Sequence, residues 1–73
     1  MKVIKVSGTD QRTGESVAQF FDWYEESGKL YESATDSIRQ VETCENEGKA
    51  VRRARRLCRK SGLKVVSLDI WEA

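Results

Sequence analysis

The sequence contains no histidine and no proline, and it has only two cysteines and one methionine among its 73 residues. Histidine is the most common general base and metal ligand near neutral pH, so its absence removes most acid–base and metal chemistry. Two cysteines cannot complete a zinc site, which needs three or four clustered ligands. No apolar run approaches the roughly 20 residues of a membrane span. We therefore expect no catalysis, no metal, no cofactor, no small-molecule substrate and no membrane contact.

The short chain predicts one small domain over residues 1–73, because a chain of this size buries only about 60% of the surface that its unfolded form exposes. The basic and apolar segment 1–6 is shorter than the apolar core of a signal peptide and predicts a strand. Cys44 and Cys58 lie on one expected helix, about 21 Å apart, which is too far for a disulfide. Free thiols favour a cytoplasmic location.

The C-terminal half carries the clearest patterns. Residues 44–60 predict an amphipathic helix, with Thr43 as its N-cap and Asn46 as the alternative. Gly62 is expected to end this helix in the left-handed conformation. Residues 63–71 alternate between apolar and polar side chains, which predicts a strand. The expected core face of that strand begins at the polar Lys64 and continues with Val66, Leu68 and Ile70.

The N-terminal half is less clear. Residues 2–9 predict a strand with Ile4 and Val6 on its core face. Residues 16–27 allow two interpretations, because the apolar residues from Val17 to Tyr24 have helical spacing while polar, Gly-containing loops on both sides are typical of hairpins. We favour a strand, since aromatic residues suit strands. A third strand begins near Leu30 and Tyr31, and residues 37–42 are left open as strand, bulge or helical turn.

These elements predict an α+β fold in the order β-β-β-α-β. It consists of a three-stranded antiparallel meander, one amphipathic helix packed on one sheet face, and a C-terminal fourth strand. We expect the fourth strand to be parallel to the first or third, through a right-handed crossover.

Charge is unevenly distributed along the chain. Residues 44–60 carry seven basic and two acidic side chains, a net charge of +5, whereas the remaining residues carry six basic and ten acidic side chains, a net charge of −4. Four like-charged i, i+4 pairs lie on the helix, and each costs about 0.2–0.5 kcal/mol in an isolated helix. This pattern favours an anionic partner, and the alternative is pairing with the protein's own carboxylates. The seven candidate residues on the exposed arc are Lys49, Arg52, Arg53, Arg55, Arg56, Arg59 and Lys60.

Aromatic side chains form a second candidate surface. On the second strand, Phe21 and Trp23 are expected on one face and Phe20 and Tyr24 on the other. A single helix covers only one face of a sheet, so some rings are expected on an open face, and exposed apolar patches mark interfaces. Carboxylates nearby disfavour nucleic acid there, so a protein contact such as a homodimer is the favoured use. The candidate residues of this sheet-face interface are Phe20, Tyr24, Tyr31 and Trp71.

The favoured function is a non-catalytic binding module that binds nucleic acid through the basic helix face. The alternative is a protein-binding inhibitor or adaptor, of the accessory kind found in phages and plasmids, that docks on an acidic or apolar protein surface. The order of meander and helix over residues 2–60 resembles the arm-type DNA-binding domains of phage integrases, which implies DNA binding by the sheet. The strands here lean acidic and a further strand follows, so the residues favour the helix as the binding element.

Overall fold

The computed structural model describes residues 1–34 and 37–73. The described residues form one five-stranded sheet and one helix, which confirms the α+β class. The sheet has the order β4-β3-β2-β1-β5, and every neighbouring pair is antiparallel. The elements are β1 (Lys2–Asp10), β2 (Ser16–Tyr24), β3 (Lys29–Ala34), β4 (Ser37–Thr43), α1 (Glu47–Lys60) and β5 (Leu63–Glu72).

The segment with two interpretations is strand β2. Its side chains alternate, so that Phe21 and Trp23 are buried while Phe20 and Tyr24 are exposed. The turns on both sides contain a glycine with positive φ. Gly14, before β2, has a φ of 76°, and Gly28, after β2, has a φ of 72°. These two turns fix β2 between β1 and β3, and pairing on both edges outweighs the helical spacing of its apolar residues.

The meander has four strands, not the three that we expected. Residues 37–43 form β4, which pairs with β3 at the edge of the sheet. Nearly all side chains of β4 are exposed, so the strand carries no hydrophobic alternation that periodicity can detect. The exact end of the third strand falls next to residues 35 and 36, which lie outside the described residues.

The expected parallel pairing of the last strand is wrong, because β5 is antiparallel to β1. The added strand explains the reversal. Each strand of a meander runs opposite to the one before it, so the third strand runs in the same direction as β1 and the fourth runs in the opposite direction. The helix then returns the chain once, and β5 consequently runs opposite to β1.

A bulge between β1 and β5 changes which side chains of β5 face the core. The register shifts between Ser7 and Gly8, and Val66 falls into the bulge with 71% of its surface exposed, which corrects its expected core position. Lys64 is also exposed, opposite Thr9. The side chains of β5 that pack on the core are instead Leu63, Val65 and Leu68.

Glycine is required at this bulge. A Cβ atom at Gly8 would lie 2.1 Å from the backbone oxygen of Lys64, a separation that side-chain movement cannot relieve. The close approach of the two backbones allows β5 to follow β1 along its whole length.

Helix α1 begins three residues later than the 44–60 range predicts. Asn46, the alternative cap, is the N-cap, and its side-chain oxygen accepts a hydrogen bond from the backbone N–H of Lys49 at 2.9 Å. Thr43 lies at the end of β4, which corrects its role as the expected cap. At the other end Gly62 has a φ of 93° and donates its N–H to the backbone oxygen of Arg59, as expected of a left-handed C-terminal residue.

The core lies between α1 and one face of the sheet. Ala50, Ala54 and Cys58 form the buried stripe of α1, which packs on β5, β1 and β2. Small residues on this stripe let the helix lie close to the strands. The sheet side of the core consists of Ile4, Val6, Phe21, Trp23, Leu30 and Leu63. The exposed side of α1 therefore points away from the sheet, and the second face of the sheet remains uncovered by the helix.

Candidate functional site

The seven basic residues of α1, here called the basic helix face, occupy the side of the helix opposite its buried stripe. Six of them are exposed and Arg53 is half-buried. The structure thus brings all seven predicted residues onto one surface, because they belong to one helix and share its period. The face comprises Lys49, Arg52, Arg53, Arg55, Arg56, Arg59 and Lys60.

Two of these seven side chains pair with the protein's own carboxylates. Lys49 Nζ lies 2.6 Å from Glu45 Oε1, and this contact lowers the pKa of Glu45. Arg53 Nε lies 3.4 Å from Glu42 Oε1. Both acidic partners lie near the N-terminal end of α1, so the positive charge there is largely offset.

The other five basic side chains have no such partner in the part of the chain that the structure describes. Among the described residues, no carboxylate lies within 4.0 Å of their charged nitrogens. Their positive charge is concentrated from the middle of α1 to its C-terminal end, where basic side chains also complement the helix dipole. These five unpaired cations are Arg52, Arg55, Arg56, Arg59 and Lys60.

A third acidic side chain near the start of α1 is also occupied. Lys2 Nζ donates a hydrogen bond to Glu47 Oε1 at 2.6 Å, and this bond raises the pKa of Lys2. Glu42, Glu45 and Glu47 are therefore each engaged by a cation. An anion that approaches the C-terminal half of α1 therefore meets unpaired cations and no unpaired carboxylate of residues 42–60.

A shallow groove crosses the basic helix face. It is lined by Glu42, Lys49, Arg52, Arg53 and Arg56. Arg53 Nε is buried in this region and makes no hydrogen bond within the described part of the chain, although Glu42 lies close. Glu42 and Glu45 offset Arg53 and Lys49, and Arg52 and Arg56 leave the groove a net positive charge that suits a phosphate group.

Arg12 extends the basic surface and was missed by the sequence reasoning. It lies in the turn between β1 and β2, and its guanidinium donates a hydrogen bond to the backbone oxygen of Ser61 at 3.4 Å, just beyond the end of α1. Asp10 lies 3.5 Å from Arg12 Nε and offsets part of its charge. Only the packing of this turn against the helix end brings Arg12 there, so no periodic pattern reveals it.

The four aromatic candidates all lie on the sheet face opposite α1, here called the open sheet face. Phe20 and Trp71 meet edge to face across β1, with ring centroids 6.4 Å apart, and Tyr24 meets Tyr31 in the same way at 5.4 Å. Lys5 Nζ lies 5.9 Å from the centroid of the Phe20 ring. Three of the four rings are 38–43% exposed, and Tyr31 is half-buried. The open sheet face therefore presents two aromatic pairs.

Two further apolar side chains on the exposed surface were not among the predicted residues. Ile38 on β4 lies opposite Ser33 and is 69% exposed, and Val66 projects from the bulge of β5. No periodic pattern predicts Ile38 as a surface residue of interest, because it lies on an almost fully exposed strand, and the alternation along β5 predicts Val66 on the opposite, core-facing side.

The cysteines do not offer a reactive thiolate. Both are free and buried. Burial raises the pKa of the Cys44 thiol, and the neighbouring carboxylate of Glu42 raises it further. Burial likewise raises the pKa of Cys58 to about 11.

Comparisons with known protein families, with curated proteins and with solved structures give no match to this chain. In the part of the chain that the structure describes, no helix has the length and apolar character needed to cross a bilayer. Within the same residues, no three metal-ligating side chains cluster together.

Proposed function

We propose that this chain is a non-catalytic binding module that binds nucleic acid through the basic helix face. The observation that supports the proposal is the set of five cations on α1 that have no carboxylate partner among the described residues. Four of the five are arginines, whose planar guanidinium groups bind phosphate oxygens in pairs. The like-charge repulsion along the helix is relieved when phosphates lie against it.

Duplex DNA is the nucleic acid that this surface suits best. An α-helix with its side chains is about 10–12 Å wide, which matches the major groove of B-form DNA. The major groove of an A-form RNA duplex is too narrow for side chains to enter. Since α1 lies on the outside of the sheet, its basic side faces outward and is accessible to the groove.

The test is fluorescence anisotropy with a labelled 20-base-pair duplex over a range of salt concentrations. We expect a Kd below about 100 μM at 50 mM NaCl. Each phosphate contact contributes about −0.9 to the slope of log K against log salt, so five cations predict a slope of about −4.5 and a loss of about 500-fold in affinity between 50 and 200 mM. Absence of binding at 50 mM NaCl would overturn the proposal.

A matched pair of triple variants identifies the binding surface. Arg52→Gln, Arg56→Gln and Arg59→Gln together remove three of the five cations, all on the side of α1 opposite its buried stripe, and we expect the slope to fall in magnitude by about 2.7. The control removes the same charge outside α1, through Lys29→Gln, Arg39→Gln and Lys64→Gln. It should leave the slope within about one unit of the wild type. An equal effect of both triple variants contradicts binding by the basic helix face.

The second candidate function is a protein-binding inhibitor or adaptor of the phage or plasmid accessory type. The observation that favours it is the open sheet face, which nucleic-acid binding through α1 leaves unexplained. Pull-down from cells with and without nuclease distinguishes the two candidates, since nuclease releases only material held through nucleic acid. We further infer a cytoplasmic site of action, where the two free thiols remain reduced.

A further inference from the structure

The open sheet face carries apolar side chains that α1 does not cover. Besides its two aromatic pairs it carries Val3 and Ile38, and Val66 lies at its rim. Monomeric proteins rarely expose contiguous apolar patches larger than a few hundred Å², and larger patches mark interfaces. The open sheet face therefore has the character of an interface with a partner.

Charge on the open sheet face points to a second copy of the same chain. Lys5 lies opposite Asp69 and next to Phe20, while Asp22 lies opposite Tyr31 and accepts a hydrogen bond from Ser33 at 3.2 Å. Charges of both signs are thus interspersed among the rings, with Lys29 beside Tyr24. Such a face can meet its own copy with lysines against aspartates, whereas the basic helix face would repel its copy.

The size of the face matches a small but specific interface. Strands about 4.8 Å apart and residues about 3.3 Å apart give five strands of about seven residues a footprint of roughly 550 Å². Two copies then bury about 1,100 Å² together, just above the roughly 1,000 Å² expected of a biological contact. Aromatic side chains at the centre of such a contact contribute most of its binding energy.

We propose that two copies of this chain pack open sheet face against open sheet face and form a homodimer. Packed sheets lie about 10 Å apart, so the dimer is a β-sandwich with one α1 on each outer surface. The two basic helix faces then point in opposite directions, with the axes of the two helices about 30 Å apart. If the proposed function holds, each dimer binds two separate DNA duplexes, one on each side, rather than two sites on one duplex.

Sedimentation velocity of the protein alone, from 5 μM to 1 mM, tests the dimer without nucleic acid. We expect a reversible monomer–dimer equilibrium with a Kd of about 1–100 μM, in keeping with the small interface. Phe20→Glu places a charge at the centre of the contact and should weaken association at least about 10-fold. Gln11→Glu adds the same charge in the exposed β1–β2 turn and should leave the equilibrium unchanged. A wild-type chain that remains monomeric at 1 mM overturns the proposal.

Fluorescence quenching by iodide supplies a second measurement on the unmodified protein. Trp23 is 5% exposed and Trp71 is 43% exposed, so Trp71 accounts for most of the quenching. We expect quenching to decrease as the protein concentration crosses the dimer Kd. Two results would indicate pairing elsewhere, such as through the edges of β4 or β5, and would also overturn the proposal. One is a dimer whose iodide quenching equals that of the monomer, and the other is a Phe20→Glu variant that dimerises as strongly as the wild type.

The bridging arrangement rests on the proposed function and has its own test. Streptavidin beads carrying a biotinylated duplex should retain a second, fluorescent duplex only with the wild-type protein. Phe20→Glu should still bind single duplexes by anisotropy yet fail to bridge them. A dimer that binds no DNA would refute the proposed function alone, and a DNA-binding monomer would refute the dimer alone.

Discussion

Cys58 shows how a single residue position combines packing and ionisation. Its side chain has no exposed surface and lies on the buried stripe of α1, where the thiol donates a hydrogen bond to Gln19 Oε1 at 3.4 Å. Burial, assisted by the negative charge of Glu32, raises the pKa of Cys58 to about 11. The neutral thiol is thus part of the core, and its ionisation opposes folding.

The raised pKa predicts a loss of stability at high pH. In the unfolded chain a cysteine titrates near about 8.5, so between about pH 9 and pH 11 the folded state binds more protons than the unfolded state. The free energy of unfolding contributed by Cys58 is therefore fully present below pH 8 and decreases as the pH rises towards 11. Urea titrations at pH 7, 9, 10 and 11 measure this decrease. Cys58→Ala should make the slope of the free energy of unfolding against pH shallower, by an amount that corresponds to at most about one proton. Parallel pH profiles of the two proteins would contradict the assignment.

At the scale of the element, α1 has a well-formed start that offsets its unfavourable charges. Four like-charged i, i+4 pairs weaken the helix by about 0.2–0.5 kcal/mol each, and Gly48 in the first turn lowers its propensity further. The Asn46 cap and the buried stripe act in the opposite direction. Helix α1 therefore depends on its cap and on the sheet beneath it.

The position of the cap gives a direct test. Asn46→Ala removes the acceptor for the Lys49 N–H and should lower the free energy of unfolding by about 1 kcal/mol, measured by urea denaturation. Thr43→Ala is the matched control, since Thr43 is an exposed residue at the end of β4 and its loss should cost less than about 0.5 kcal/mol. The reverse order would place the start of α1 at residue 44.

At the scale of the whole molecule, the last strand completes the sheet and the surface of the sheet on which α1 packs. β5 pairs with β1 along its length and contributes Leu63 to the core, with Val65 and Leu68 packed against it. The N-terminal strand consequently lies inside the sheet, and α1 packs across β5, β1 and β2. Contacts between the two ends of the chain hold the fold together, which makes folding depend on non-local pairing.

Truncation tests this dependence. A chain ending at Ser61 loses β5, leaves β1 with an unpaired edge and exposes part of the apolar stripe of α1, so we expect no cooperative unfolding transition by circular dichroism. A chain ending at Trp71 is the control. It loses the hydrogen bond from Ala73 N–H to the Met1 carbonyl and the 3.8 Å contact of Glu72 with the N-terminus, and it should still unfold cooperatively. A cooperative transition in the shorter chain would contradict the role of β5.

Most of the elements are predictable from local patterns, and the errors have two origins, the unpatterned strand β4 and the bulge at Gly8. Residues of β1 and α1 repeat at strand and helix periods because each buries one side, whereas β4 buries almost nothing and leaves no pattern. Missing that strand reversed the predicted direction of β5. The bulge at Gly8 then displaced Val66 from the core face, since a bulge interrupts the alternation on which that prediction depended.

The candidate surfaces divide in the same way. The seven members of the basic helix face and the side of β2 on which Phe20 and Tyr24 lie follow from the sequence, because neighbours within one element are placed by its period alone. Tertiary packing decided which cations are already paired, brought Arg12 to the end of α1, and set Trp71 against Phe20 across β1. These contacts join residues far apart in the chain, and their geometry depends on strand order and register, which no local period encodes.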